Sequence, residues 1–459
     1  MGGVNVMDRR NYIELLSDQI RCKKALPLVT RELEVHIEEQ KADFMAEGMT
    51  EREAEEAAVR EMGDPVEVGA EMDRIHRPKM NWRIIIGIGL VSLSGAGMLY
   101  ALDSHIEQKD MLFFYPASHL LYMLLGYMAM IGVCYFDYTR VAYRAKELLA
   151  AYMILLIGGM ALFGTSINGA RVYVSLFGIS VNMSQTLFLT IPLYCAVLYK
   201  FRGQGYKGLF KGVLWMLPII AVQIRFRMAE LIILIPAFAI ILSVAVYRQY
   251  FRIPAAKTLA AIWGGTAFFI CAGVFMILRF GSDYQIKRLK VMAAPSQYAA
   301  EEGYQLYTLK KLLEGSKFIG QGEHFIEFSG SLPNSSSFAL SYVMAYFGVF
   351  AAVCVISVIV ILLFKLTAMT VKQKNRLGLL MGVGCGVTIA IQAAWYVLTN
   401  LGVVLIGPVY CPFITNGGTG MIVTYVLFGI MLSIYRYRNV AAEEVKRKCL
   451  TDKKKVDLF

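Results

Sequence analysis

Leu231–Val246 reads LIILIPAFAIILSVAV and Leu259–Leu278 reads LAAIWGGTAFFICAGVFMIL, and neither run carries a charge. A helix needs about 20 mostly apolar residues to cross a bilayer, because only a backbone that satisfies its own hydrogen bonds survives in hydrocarbon. Val343–Leu363 and Leu377–Val397 have the same character. Ten such runs, flanked by charged or turn-forming residues, fill the chain from Arg83 to Tyr435. Composition points the same way: of 459 residues 57% are hydrophobic and 17% charged, with mean hydropathy +0.53. A string of soluble domains is excluded. The predicted class is all-α, a polytopic membrane protein of about ten transmembrane helices behind a small N-terminal cytosolic helical domain. The spans are placed near 83–102, 112–136, 148–165, 183–199, 209–223, 228–247, 257–280, 338–365, 377–400 and 419–437.

Charge divides unevenly along this frame. Residues 1–80 hold 18 acidic and 12 basic side chains, net −6, and the remainder carries +18, for a total of +12. The excess lies in short loops, at Arg140–Lys146, Lys200–Lys207, Arg248–Lys257 and Lys372–Arg376, and in a basic tail at 441–459. With ten spans these fall on one side together with the N-terminus, which the positive-inside rule makes cytoplasmic. The charge therefore orients the chain rather than marking a nucleic-acid site; the tail would also suit anionic headgroups. Eight cysteines show no paired spacing and mostly lie within spans, where cysteine acts as a small hydrophobe. No disulfide framework, metal site or cofactor is expected. No cleavable signal precedes the acidic segment, so the first span is expected to act as the insertion signal.

Residues 1–80 read as one cytosolic domain. Tyr12, Leu15, Leu16 and Ile20 recur at helical spacing, as do Leu33, Ile37 and Phe44. Gly48 stops a helix, Thr50 with Glu53 forms a capping box for the next, and Gly63-Asp64-Pro65 ends that helix and opens another reaching His76. This segment resembles the permease-prefix domain of bacterial membrane proteins, which implies a docking or regulatory module. No catalytic constellation appears in it. The membrane domain follows at 81–440 and contains one long connection, 281–337 on the extracytoplasmic side. That connection carries a possible helix at Leu306–Leu313, and its length favours function.

Gly402–Gly420 reads GVVLIGPVYCPFITNGGTG, whose glycines and prolines break helix between the last two spans. Non-helical backbone at membrane depth is tolerated where protein or a polar cavity covers it. Cys411–Thr419 follows the L-P-F-x-S-x-G-G-S-type signature of the SEDS family (shape, elongation, division and sporulation), whose members include FtsW, RodA and SpoVE. Gly169-Ala170-Arg171 with Leu176-Phe177-Gly178 is similar to that family's G-A-R-R-W-I-x-L-G. Tyr284 to Arg288, then Gly303-Tyr304-Gln305, then the glycines before Leu332-Pro333, resemble its large loop. Order and spacing agree across roughly 85–440.

The resemblance implies ten spans, a membrane-embedded groove and polymerisation of lipid-linked disaccharide (lipid II) into glycan strands. It also implies a partner, usually a single-span transpeptidase, and residence in the bacterial plasma membrane. Substrate contacts would fall to Arg171, Arg288, Tyr304, Gln305, Pro333, Pro412, Gly417 and Gly418, with a guanidinium suited to diphosphate. The chemistry needs a general base near the outer face to deprotonate the attacking sugar hydroxyl. Here the chain departs from the family. Ser337, in Leu332–Phe338, stands at the family's loop aspartate, and serine cannot be that base. Asn182-Met183-Ser184-Gln185 replaces Q-P-S-E, Gln223-Ile224-Arg225 replaces Q-P-D, and two acids are replaced near Met344–Tyr346.

Glu323 and Glu327 are the substitutes within the loop. His324 between them reads as incidental, and His105 and His119 as interfacial. Glu230, at the start of a span, is functional by default, with Arg225 and Arg227 offering simple ion pairing. The function expected is therefore a cell-wall assembly protein that binds lipid-linked disaccharide, either as a peptidoglycan glycosyltransferase with a rearranged carboxylate or as a non-catalytic relative. A divalent cation enters only if the transferase is active. The alternative is a transporter or flippase of polyprenyl-linked intermediates, which needs more intramembrane charge than these spans carry.

Overall fold

The computed structural model describes residues 7–105, 116–167, 170–176, 179–299, 303–328, 332, 335–373, 375–404 and 410–440. The expectations placed on Gly169, Phe177, Gly178, Gly330, Pro333 and the tail at 441–459 lie outside the described residues. Two compact units are present.

One unit gathers residues 1–80, 373–376 and 435–459. Its helices are α1 (Arg9–Asp18), α2 (Leu26–Ala46), α3 (Glu51–Glu61) and α4 (Pro65–His76). Gly48 (φ 100°) turns the chain out of α2. Thr50 Oγ1 accepts from Glu53 N at 3.5 Å, and Glu53 Oε2 accepts from Thr50 N at 3.1 Å, so α3 opens on a closed capping box. Tyr12, Leu16, Val29, Ile37 and Ala58 form the core, and Val440 and Tyr437 from the other end of the chain complete it. Lys41 is buried, and Glu51 and Glu55 receive its ammonium at 2.9 and 3.2 Å.

The other unit spans 81–372 and 377–434. It begins with α5 (Trp82–Asp103), α6 (Pro116–Tyr135), the short α7 (Tyr138–Tyr143) and α8 (Ala145–Phe163). Three strands follow, β1 (Gly164–Ile167), β2 (Ala170–Leu176) and β3 (Ile179–Asn182), in an antiparallel meander ordered β1-β2-β3. Then come α9 (Met183–Thr186), α10 (Thr190–Lys200), α11 (Gly205–Arg227), α12 (Leu231–Tyr247) and α13 (Ala255–Phe280). The large connection holds α14 (Asp283–Ala293), α15 (Tyr304–Glu314) and α16 (Phe325–Phe328), and α17 (Ala339–Phe347) follows it. The chain closes with α18 (Val349–Val371), α19 (Arg376–Asn400) and α20 (Gly418–Arg436).

Eight helical stretches among the described residues are long and apolar enough to cross a membrane. One of them, Gly205–Tyr247, runs 43 residues, about twice a bilayer crossing. Arg227 (φ −153°, ψ 97°) interrupts it, and Gly203 N donates to Tyr250 O at 2.8 Å across its far ends. Thus α11 and α12 form an antiparallel hairpin. The expected fourth span is helical from Met183 to Lys200 but pieced together from α9, a 3-10 turn at Leu187–Leu189 and α10.

The run expected at 338–365 is not one helix. Gly348 (φ 99°) separates α17 from α18, and a Cβ there would lie 2.6 Å from the Phe318 carbonyl oxygen. Val349 N and Phe350 N donate to the Lys317 and Phe318 carbonyls at 3.0 and 3.1 Å. Backbone capture by the large connection therefore ends α17 early, which a hydropathy window cannot register. Along α13 only Thr258 is buried.

Candidate functional site

Helix alternation puts the ends of α8, α11, α13 and α19 and the starts of α6, α9, α12, α18 and α20 on one face with the large connection. Polar side chains buried at these ends meet in a seam. The break before α20 is held by Thr415, whose Oγ1 accepts from Cys411 N at 3.1 Å. Pro412 is buried, and Phe413 takes a left-handed backbone (φ 74°) while its ring stacks on Phe428. Gly417 and Gly418 allow close approach of two tyrosines. A Cβ at Gly417 would meet the Tyr410 ring at 3.1 Å, and one at Gly418 would meet Tyr122 at 2.8 Å. Beside them His119, fully buried, brings Nδ1 within 3.4 Å of Asn416 Oδ1.

Thr419 ties this loop to the start of α9, its Oγ1 accepting from Asn182 N at 3.0 Å. The Asn182 side chain in turn caps α9, accepting from Ser184 N and Gln185 N at 3.1 and 3.3 Å. Ser184 Oγ donates to Glu230 Oε2 at 2.8 Å, and Gln223 Nε2 donates to Ser184 Oγ at 2.6 Å and to the Arg227 carbonyl at 3.0 Å. Arg227 Nη1 lies 3.7 Å from Glu230 Oε1. Glu230, 12% exposed at its side chain, thus has a cation and two neutral donors. Gln223 Oε1 and Trp395 Nε1 are buried without a partner among the described residues.

Ser337 lies in a 3-10 turn, Ser335–Phe338, that packs on the end of α19. Its carbonyl accepts from Asn400 Nδ2 at 3.2 Å, and Ser341 N and Oγ donate to Asn400 Oδ1 at 3.1 and 3.0 Å. The Tyr396 hydroxyl accepts from Leu340 N at 3.3 Å and shares a hydrogen bond with Thr415. The stretch ending at Phe338 and the glycine-rich loop therefore meet through one tyrosine. Serine supplies no carboxylate here, and the groups bonded around this turn are amide, hydroxyl and phenol.

Several of the other candidates occupy the walls. Arg171 is exposed on β2, two residues beyond the Tyr173–Asn182 pair, roughly 7 Å along the strand from the seam. Arg288 is half-buried on α14; Val291, one turn later, packs with Leu306 of α15. That contact draws Arg288's helix onto the one carrying Tyr304, which is exposed, and Gln305, which is half-buried. A Cβ at Gly402, just past α19, would touch Lys310, Leu306 and Leu309, so α15 covers the end of α19. Glu323 and Glu327 face solvent, with side chains 72% and 67% exposed, near Lys317 and His324 at 3.8 and 3.6 Å. The arrangement sets hydroxyl and amide groups inside the seam and Arg171 on the exposed face of β2 beside it.

Sequence reasoning passed over Asn400 and Tyr396, each a polar side chain near the end of an apolar run. That placement is the signal that could have found them.

Fold and seam together define a multi-pass helical membrane protein with a network of buried polar side chains on its large-loop face. The family model described as cell cycle protein, FtsW/RodA/SpoVE, matches residues 79–440, and the chain belongs to that family. The probable peptidoglycan glycosyltransferase FtsW of Bacillus subtilis is 23% identical over 383 residues, covering 81% of this chain and 92% of that one. The Enterococcus hirae counterpart is 26% identical over 392 residues, covering 81% and 94%. Among solved structures, a chain of a peptidoglycan synthase complex that coordinates polymerization and crosslinking superposes with TM-score 0.62 at 17% identity, covering 78% of this chain and 98% of that one. Thermus thermophilus RodA, a rod shape determining protein, superposes with TM-score 0.53 at 15% identity, covering 78% and 97%.

Proposed function

We propose that this protein serves bacterial cell-wall assembly by taking lipid-linked disaccharide into the seam between Asn182, Glu230, Asn400 and Asn416. The observation that carries the reading is the seam itself. Buried polar groups at membrane depth are costly unless partnered, and here Gln223 Oε1, beside Ser184 and Glu230, waits as an acceptor. Arg171 and Arg288 supply positive charge for a diphosphate. The membrane domain is read as ten spans over 81–440, with 1–80 as a cytosolic docking domain and both termini cytoplasmic. A single-span transpeptidase is the partner class.

Ser337 leaves the family's base position without a proton acceptor, so the reading is a precursor-binding role. A second reading, glycan polymerisation, is favoured by one observation: Glu230 is a buried carboxylate within the seam. Purified full-length protein with labelled lipid II separates the two. Saturable binding without polymer supports the first. Polymer formation abolished by Glu230→Gln establishes the second. Label that merely changes leaflet in vesicles would establish a transporter instead, and no binding at all sinks the proposal.

A further inference from the structure

Opposite the large loop, two lysines share one aromatic ring, with two further cations flanking that ring in the chain. Lys146 Nζ, on the first turn of α8, lies 4.5 Å from the Phe201 ring centroid, and Lys211 Nζ, on α11, lies 5.8 Å from the same centroid. The two ammonium groups are therefore within about 10 Å of each other by the geometry of that shared ring. Lys200 ends α10 beside them. Arg202 stacks its guanidinium 4.3 Å from the Tyr199 ring.

The hydrogen-bond partners of these cations are neutral. Lys200 Nζ donates to the Tyr143 carbonyl at 2.6 Å, Lys211 Nζ to Gln204 Oε1 at 3.1 Å, and Arg202 to the Tyr199 carbonyl at 3.5 Å. Glu147 is the single carboxylate in 144–147 and 199–211, against six basic residues.

Two helix starts sharpen the imbalance. Neither α8 nor α11 has a side-chain cap, and α11 has no acid in its first turn. Cations at a helix N-terminus oppose the macrodipole, whereas an anion there satisfies both the dipole and the free N–H groups. Lys146 and Lys207 nonetheless stand in those first turns. The turn after α12 presses in from the side: Gln249 and Arg252 hold left-handed backbone at φ 55° and 56°, and Gly203 N donates to Tyr250 O. Non-glycine residues persist in that region where the surroundings over-determine them, often at binding sites.

We infer that Lys146 and Lys211 over Phe201, with Lys200 and Arg202 on either side of that residue, form a binding site between the starts of α8 and α11 for the phosphate of an anionic membrane lipid. The positive-inside rule accounts for basic loops in general but not for their convergence on one ring. A lipid phosphate fits because the cluster lies where α8 and α11 enter the bilayer. There, Phe201 offers an apolar floor and the lysines reach the headgroup plane.

The test uses full-length protein in nanodiscs of phosphatidylcholine with or without phosphatidylglycerol, and native mass spectrometry to count retained lipid. Wild type should retain phosphatidylglycerol in preference to phosphatidylcholine. Lys146→Gln with Lys211→Gln should weaken that preference roughly 30-fold, about sixfold per surface cation. Lys372→Gln, in another basic loop, should leave it intact. Equal retention by the double variant, or an equal loss with Lys372→Gln, overturns the site. Tight binding of soluble glycerol phosphate by the detergent-purified protein, without lipid preference, overturns the lipid as its source. Retention that appears only once residues 1–80 are deleted overturns it as well, since that acidic segment would then be the natural occupant.

Discussion

Four hydrogen bonds converge on the Asn400 side chain, from Ser341 N and Oγ and to the Ser337 and Tyr396 carbonyls. Truncation would leave at least two buried backbone groups unmatched, each costing about 1–3 kcal/mol. Asn400→Ala should therefore lower stability by about 2–4 kcal/mol, read as a fall in thermal unfolding temperature in detergent; unchanged melting would show that water replaces the amide.

Ser337, joined to the same amide through its carbonyl, presents its side chain without a carboxylate. A general base contributes about 100-fold or more to rate. Ser337→Asp should thus raise glycan polymer formed from lipid II at least tenfold over wild type, measured on gels of labelled product. No gain would mean that the one-residue-shorter loop misplaces the position.

At the scale of elements, helix starts and close approaches decide which segments can pack. Thr50 closes the capping box of α3, and Thr50→Ala should weaken that helix by about 1 kcal/mol. Faster hydrogen exchange across Glu51–Glu61 would report it. At the other end of the chain, α20 begins at Gly418, where an added Cβ would lie 2.8 Å from the Tyr122 ring. Gly418→Ala must push Tyr122 or α20 aside, at about 1–3 kcal/mol by overpacking, and should reduce thermal stability accordingly.

Much of this level was legible beforehand. The capping box, the Gly48 stop and the Pro65 start are local signals, and the structure places α3 and α4 on them. The break at Gly348 was not legible, since it depends on Lys317 and Phe318, some thirty residues earlier, lending their carbonyls to α18. The three-stranded sheet at 164–182 was missed for a similar reason. Its register rests on cross-strand pairs, with Thr165, Ser175 and Ser180 hydroxyls linked across the strands.

At the scale of the whole molecule, the two units answer to different forces. In the N-terminal unit, hydrogen bonds and charge from Lys41 hold Glu51 below the ordinary value of 4.5, and Thr50 does the same for Glu53. A depressed folded pKa contributes stability above the unfolded value and loses it as pH falls through the folded one. Lys41, raised above 10.5 by the same partners, contributes until pH climbs past its folded value. Amide protection of α2 and α3 in the full-length protein should accordingly be level near neutrality and fall below about pH 4.5, after correction for intrinsic exchange. Protection that stays level into acid would show that the apolar core alone holds this unit. The membrane unit owes its frame to hydrocarbon, which leaves backbone no choice but helix where no protein or water covers it.

That physical constraint is why ten apolar runs, read singly, already determined a polytopic helical protein, and why the 411–419 segment announced a break. Periodicity and hydropathy are properties of neighbours along the chain, so the chain alone carries them. Which polar groups share a chamber is a property of neighbours in space. Only the tertiary structure could join Glu230 to Ser184 across 46 residues, Asn182 to Thr419 across 237, or Lys146 and Lys211 over one ring. It could do so because buried polar atoms must find partners wherever the packing of distant helices delivers them.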